Sequence, residues 1–232
     1  MRFTVPLQAA VLLRRYKRFL ADVQFVDGRT ATVHCPNTGS MLTCSTPGSR
    51  VFLSRSDNPT RKYPHTLELI QENGTLIGIN TSLTNSVVQE AIQNGLITEF
   101  DAPIRIQKEV RTSDGCRLDL ALHYASSATY VEIKSCTFVQ DGIAMFPDAV
   151  TVRGQKHLLE LADLVGWGYG GAVFFLVQRP DARHFCPATH IDPLYSATLR
   201  KVHDLGVAIV VYQAEISPEA ITVSRPLPFS FS

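Results

Sequence analysis

Two stretches of this chain, Ala172–Val177 and Val207–Tyr212, are apolar at every position. Continuous apolar strands are covered on both faces, the mark of a sheet with helices packed on each side. The intervening segments supply those helices. Val152–Val165 carries Leu158, Leu159, Leu161, Ala162 and Val165 at helical spacing and runs into Gly166; a second helix, Pro193–Leu205, stops at Gly206. Further upstream, Thr84 or Asn85 caps a helix through Asn94, with Val87, Val88, Ala91 and Ile92 as its stripe and Gly95 as its stop. Strands follow at Ile104–Arg111, Arg117–His123 and Tyr130–Ser135. The order α-β-β-β-α-β-α-β predicts an α/β domain with a mixed sheet over residues 81–232.

Residues 1–80 read differently. Asp22–Val26 and Thr30–Cys35 flank Asp27-Gly28, a hairpin signal because glycine accepts the positive φ of a tight turn. Arg50–Ser54, Thr66–Ile70 and Thr75–Asn80 continue the strand pattern, the last two separated by Glu72-Asn73-Gly74. Five or six strands without a helix predict a small β-barrel, and at this size the oligonucleotide-binding (OB) barrel is the natural candidate. The chain therefore reads as two domains.

Of the 232 residues, 45% are apolar and 19% charged, a globular composition. No apolar run approaches the roughly 18–20 residues that cross a bilayer. The charge near the N-terminus follows the apolar run Val5–Leu13 rather than preceding it, unlike a signal peptide. Five cysteines without CxxC spacing argue against zinc and for thiols in a reducing compartment, so the expectation is a cytoplasmic protein with no membrane partner. Net charge is only +1, but residues 1–62 hold ten Lys/Arg against three Asp, and the remainder holds twelve against eighteen acids. A basic module attracts phosphate backbones, which makes DNA the expected partner, and clustered carboxylates hold divalent cations.

The chemistry concentrates in Arg117-Leu-Asp-Leu-Ala-Leu-His123 and Tyr130-Val-Glu-Ile-Lys-Ser135. Alternate strand residues share a face, so Glu132 and Lys134 point one way and Val131 and Ile133 the other. A hairpin centred between Ala125 and Ser126 opposes residues whose numbers sum to 251, which sets Asp119 against Glu132. Two carboxylates so placed repel unless a cation lies between them, and Mg²⁺ or Mn²⁺ suits their oxygen ligands. Metal-assisted phosphodiester hydrolysis uses this set, with Lys134 stabilising the developing charge. A surface ion pair at a sheet edge is the competing reading.

Other candidates surround this core. Gln155, Lys156 and His157 open a helix, where anions are favoured; ordinary solvation of a first turn explains them equally. Glu90 either lines the metal site or is solvated. Arg14, Arg15, Tyr16, Lys17, Arg18 and Phe19, and again Arg61, Lys62 and Tyr63, interleave cations with aromatics in the manner of nucleic-acid surfaces; a solvated basic face has the same pattern. Cys35-Pro-Asn-Thr-Gly39 is either a phosphate cradle, with Asn37 at its centre, or a plain turn.

Several ordered segments carry a family resemblance: Arg15-Tyr-Lys-Arg-Phe-Leu-Ala-Asp22, His34-Cys-Pro-Asn-Thr-Gly39, Arg61-Lys-Tyr-Pro-His65, Val131-Glu-Ile-Lys-Ser135, Phe146-Pro-Asp-Ala-Val150, Arg153-Gly-Gln-Lys-His-Leu158 and Ala214-Glu-Ile-Ser217. Over nearly its whole length the chain resembles the sugar fermentation stimulation proteins (SfsA family). The resemblance implies an OB-like N-terminal domain and a C-terminal domain of the PD-(D/E)xK, restriction-endonuclease-like type. It maps metal binding onto Asp119 and Glu132, the lysine onto Lys134, and the helix-borne polar residue onto Gln155 or Lys156. The sequence departs from the superfamily signature in reading Arg-Leu-Asp, without its proline. The expected function is a DNA-binding, metal-dependent nuclease. A non-catalytic DNA-binding regulator on the same scaffold is the alternative, and a hydrolase of small phosphorylated metabolites leaves the basic module idle.

Overall fold

The computed structural model describes residues 1–113 and 115–231. Six strands make the first barrel: β1 (Gln8–Tyr16), β2 (Leu20–Phe25), β3 (Thr30–His34), β4 (Arg50–Arg55), β5 (His65–Glu72) and β6 (Thr75–Gly78). Their order is β3-β2-β1-β4-β5-β6, and a parallel bridge between His34 and Thr66 closes β3 onto β5. The strand missed in the sequence is β1, whose Val11 and Leu13 are exposed, so apolar and polar residues do not alternate cleanly along it. Gly28, at φ +84°, makes the β2–β3 turn as expected. Leu12, Val23, Val33, Val51, Leu53, Leu67 and Ile77 fill the barrel.

A short 3₁₀ turn leads into α1 (Thr84–Gln93). Then come β7 (Arg105–Ser113), β8 (Cys116–His123), β9 (Ala128–Cys136), β10 (Phe138–Gln140), β11 (Ile143–Phe146), α2 (Val152–Gly166), β12 (Gly170–Val177), β13 (His184–Pro187), α3 (Pro193–Asp204), β14 (Ala208–Ile216) and β15 (Ile221–Pro226). The large sheet has the order β15-β14-β12-β9-β8-β7. Its centre, β9-β12-β14, is parallel, and α2 and α3 make the crossovers that parallel neighbours require. The flanking strands are antiparallel, so the sheet is mixed. Strands β10, β11 and β13 form a separate small sheet and, with β15, extend the expected order; three of these four have no more than four residues, too few to show a pattern.

The two faces of the large sheet carry separate cores. On one, Leu158, Leu161 and Leu164 of α2 and Leu199 and Val202 of α3 cover Val173, Phe175, Val177 and Val211. On the other, Val87, Val88, Ala91 and Ile92 of α1 meet Leu120, Leu122, Val131, Ile133 and Phe174. Phe52 and Leu69 of the barrel enter this second core. The helix thus packs on the C-terminal sheet, and the barrel shares the apolar layer beneath it.

Polar contacts fix the junction further. The backbone N–H of Gly78 donates to the Gln178 carbonyl at 2.9 Å. Gln178 Nε2 donates to Thr84 Oγ1 and Ser135 Oγ at 3.0 and 2.8 Å. Arg179 donates to Thr43 Oγ1 at 3.0 Å and forks onto Asp181. All five cysteines are free thiols, three of them buried. Among the described residues no helix is long and apolar enough to cross a membrane.

Candidate active site between the two domains

The register of the β8–β9 hairpin sets up the site. Leu120 pairs with Val131, Ala121 with Tyr130, Leu122 with Thr129 and His123 with Ala128, so every pair sums to 251. The paired residues end at Leu120 and Val131. Leu120 packs in the α1 core but Leu118 in the α2 core, so residues two apart face opposite layers. A regular strand cannot do this, and β8 parts from β9 at Asp119. The freed Asp119 carboxylate reaches across: Oδ2 accepts the backbone N–H of Ile133 at 2.7 Å, and Oδ1 accepts Asn85 Nδ2 at 2.8 Å.

Glu132 follows the alternation and points toward α2. It is 3% exposed. Its Oε1 receives Lys134 Nζ at 2.5 Å and also faces His157 Nδ1. Arg153 Nε donates to His157 Nε2 at 3.3 Å, which leaves the imidazole proton on Nδ1, toward Glu132. Oε2 of Glu132 is buried with no hydrogen-bond partner.

The two carboxyls respond oppositely to this setting. Burial, and then the charge of Glu132, push the Asp119 carboxyl up to about 6 against the pull of the Ile133 N–H, Asn85 and Lys134. Burial works in the same direction on Glu132, but the His157 hydrogen bond and the Lys134 charge outweigh it and hold that carboxyl below its ordinary range. One buried oxygen without a partner beside a second, strained carboxylate is a donor set that suits a hard divalent cation. No group of three or more His, Cys, Asp or Glu is poised for a metal among the described residues, which leaves Asp119 and Glu132 as the candidate ligands. Mg²⁺ sites commonly take one or two carboxylates and complete their shell with waters and substrate phosphates.

Asp119 and Lys134 open into a cleft of about 470 Å³ that both domains line. Asn85, Thr84, Ser135 and the Phe146–Thr151 segment form the C-terminal wall; Arg18 and Asn37-Thr38-Gly39 form the barrel wall. Asn37 Oδ1 accepts the Gly39 N–H at 2.9 Å, shaping the loop. Asp148 crosses the junction, accepting the Met41 N–H at 3.0 Å on its carboxylate and the Ser40 hydroxyl on its carbonyl. A Cβ on Gly39 would lie 2.5 Å from Asp148 Oδ2, so only glycine allows this approach.

The remaining sequence candidates lie elsewhere or are already engaged. Gln155 Nε2 donates to Asp192 at 3.3 Å; Asp192 caps α3 and accepts the Thr151 N–H, so Gln155 braces two helix starts. Lys156 is exposed in a second groove, described below. Glu90 is half exposed and pairs with the Met1 amino group at 2.9 Å. Arg15 turns inward and donates to the carbonyls of Arg18, Asn37, Gly39 and Ser40, at 2.7, 2.8, 2.7 and 3.2 Å. Arg14 pairs with Asp22 at 2.8 Å and lies over the Tyr16 ring, whose hydroxyl also donates to Asp22. Lys17 and Arg18 sit at positive φ in the β1–β2 turn, exposed. Arg61 donates to Thr66 Oγ1 at 2.8 Å, and Lys62 lies over the Tyr63 ring.

Two site residues, Asn85 and Asp148, are not site candidates in the sequence, and His157 has a role other than the one expected there. Asn85 looked like a helix cap; α1 has no side-chain cap at its start, and the amide holds Asp119 instead. His157 reads in sequence as a first-turn polar residue, although its spacing places it on the buried stripe with Leu158 and Leu161. Asp148 gave no local signal, because its partners are more than a hundred residues away.

Known proteins match this architecture in both halves. Residues 13–79 match the family described as the SfsA N-terminal OB domain, and residues 82–220 match the sugar fermentation stimulation protein RE domain. The sugar fermentation stimulation protein homolog of Desulfotalea psychrophila is 54% identical over 223 residues, covering 96% of this chain and 94% of the relative. That of Pelobacter propionicus is 52% identical, covering 96% and 97%. The solved structure of Pyrococcus furiosus SfsA in complex with Ca²⁺ superimposes with a TM-score of 0.90 at 27% identity, over 100% of this chain and 98% of that one. Matched end to end in sequence and in fold, the chain belongs to the sugar fermentation stimulation protein (SfsA) family.

Proposed function

We propose that the protein is a divalent-metal-dependent phosphodiesterase that cleaves DNA in the cleft between its domains. The observation that carries this reading is that Asp119 and Lys134, the latter paired with the buried Glu132, open on a cleft whose barrel wall is Arg18 and the Asn37–Gly39 loop. Asp119 and Glu132 would hold Mg²⁺ or Mn²⁺, which when bound polarises a phosphate and lowers the pKa of a coordinated water. The Ca²⁺ in the Pyrococcus furiosus relative supports a hard divalent cation at this family's sites, and Mg²⁺ or Mn²⁺ extends it.

The chain's own groups have separable tasks. Asn85 and the Ile133 N–H orient the Asp119 carboxylate, and His157 orients Glu132. Lys134 neutralises Glu132; its ammonium also lines the cleft, where it meets the charge that develops on the phosphate. Arg18 and the Asn37–Gly39 loop meet neighbouring phosphates. Five free thiols suit a reducing compartment, and we place the protein in the cytoplasm.

A second reading, a DNA-binding regulator without catalysis, draws on one observation: Lys134 and His157 already satisfy Glu132 Oε1, and among the described residues no group of three His, Cys, Asp or Glu is placed to hold a metal. Incubation of purified protein with end-labelled single- and double-stranded DNA in Mn²⁺, Mg²⁺ or EDTA separates the two. Metal-dependent cleavage that disappears in Asp119→Asn supports the enzyme. Salt-sensitive binding with no cleavage under any of these conditions leaves the regulator.

A further inference from the structure

We infer that the strand that reaches this site is unpaired, and that it runs from the cleft over the start of α2 into a second, basic groove. The inference rests on the phosphodiesterase reading for its chemistry and on separate observations for its path. The cleft has fixed walls: the shared core at Phe52 and Leu69, the Gly78–Gln178 bond, Arg179 on Thr43, and Asp148 on Ser40 and Met41 all tie the domains together. Its volume of about 470 Å³ falls within the roughly 300–1,000 Å³ that encloses one small organic ligand. That is room for a nucleotide or two beside Asp119 and Lys134.

The surroundings present groups that an unpaired strand uses and a duplex does not. Val150, 69% exposed, lines the cleft, and Val152, 63% exposed, lines the groove beyond it. Phe19, beside the cleft residue Arg18, is 48% exposed. Exposed apolar and aromatic side chains gain by contact with base faces, which a duplex hides in its stack. Beyond the Val150–Val152 ridge lies a groove of about 800 Å³ carrying Arg111, Arg117, Arg153 and Lys156. Two acids share it: Glu160, which accepts the Ser113 hydroxyl at 2.8 Å, and Asp163. Arg117 is also met by Glu109 at 3.5 Å, so four cations face three acids and the groove keeps a small basic excess. His157 lines it while also facing Glu132, so the groove abuts the catalytic carboxylate from behind. Phosphates tracked by the four cations and bases against the ridge describe a single-strand path.

The test uses the full-length protein and one labelled oligonucleotide of about 20 nucleotides, free or annealed as a blunt duplex. Fluorescence anisotropy in EDTA reads strand preference without catalysis, and Mn²⁺ assays read cleavage. The single strand should bind about tenfold more tightly than the duplex and be cut correspondingly faster. Phe19→Ala should remove much of that preference, and Arg117→Ala with Lys156→Ala should flatten the salt slope for single strands by about two units. Equal binding of single strand and duplex, or an unchanged salt slope, overturns the inference even if both substrates are cut. A single-strand preference with no cleavage in Mn²⁺ or Mg²⁺ upholds the path and overturns the phosphodiesterase reading.

Discussion

Lys134 Nζ lies 2.5 Å from Glu132 Oε1, an ion pair in which the carboxylate is 4% and the lysine 14% exposed. Such a pair is held by mutual neutralisation, and removing one member leaves a buried charge. The lysine therefore occupies one oxygen of the carboxylate while the other, Oε2, has no partner. This arrangement separates a role in cation binding from a role in chemistry.

Lys134→Ala should destabilise the cation-free protein by about 3 kcal/mol, because His157 alone then faces the buried Glu132. Mn²⁺ should still raise the melting temperature, by at least as much as in the native protein, since a competing cation has gone. Cleavage should fall by orders of magnitude, as when a transition-state contact is lost. Thermal melts with and without Mn²⁺, beside single-turnover cleavage, check both halves. Loss of the Mn²⁺ response would mean that Lys134 holds the site together.

Asp119 predicts a pH dependence with a definite sign. Its folded carboxyl titrates near 6 against an ordinary 3.8, so the folded state binds more protons between those values. The group's contribution is greatest below about pH 4 and is lost as pH rises through 6, leaving a penalty of about 2–3 kcal/mol at neutral pH. Asp119→Asn keeps an oxygen for the Ile133 N–H and removes the charge. At pH 7 in EDTA the variant should equal or exceed the native protein in urea melts, and the difference should shrink toward pH 4. A variant less stable at both pH values would show that the Asn85 contact matters more than the repulsion.

How much of this was legible follows from which residues answer to local rules. The hairpin register was readable because the strands are long and their turn is short, but the pairing stops at Leu120 and Val131, so Asp119 is not the directly opposed partner of Glu132 that the register predicts. The parallel core strands and α2 and α3 were readable because burial on both faces, and a stripe on one, leave clear patterns. The break in β8 at Asp119 was not: Leu118 and Leu120 look alike in sequence and face opposite cores. Arg15 and Arg18 are equally indistinguishable as basic residues, yet one is turned into the protein and the other lines the cleft. The short strands of the small sheet, and Asp148 bridging to Ser40 and Met41, depend on long-range pairing that no window of sequence carries.

Arg15 and Arg18 consequently predict different failures. Arg15→Ala removes donors from four loop carbonyls and should cost about 1–3 kcal/mol of stability. DNA affinity should drop because the Asn37–Gly39 wall loosens, while the salt slope stays near native. Arg18→Ala should leave stability within about 0.5 kcal/mol and lower the salt slope by about one unit. Binding isotherms at several salt concentrations distinguish them. A flattened slope for Arg15→Ala would place its guanidinium on a phosphate after all.

Gly39 tests whether the cleft depends on the domain junction. A methyl group there would lie 2.5 and 2.7 Å from the two Asp148 carboxylate oxygens and 3.0 Å from Asn37 Oδ1. Asp148 cannot retreat without releasing the Met41 N–H, so Gly39→Ala should push the loop and the Phe146–Thr151 segment apart. Overpacking of this kind costs about 1–3 kcal/mol, a loss that urea melts measure. The chemical groups at Asp119, Glu132 and Lys134 are untouched, so the Mn²⁺-induced rise in melting temperature should persist. Cleavage should nevertheless fall, because the barrel wall no longer positions the strand, and the loss should appear in KM more than in kcat. Adding Asp148→Ala to Gly39→Ala removes the clash along with the bond, and should recover part of the stability while leaving KM high. Full recovery of KM in the double variant would show that steric displacement alone, rather than the Asp148 contact to the loop, governs the shape of the cleft.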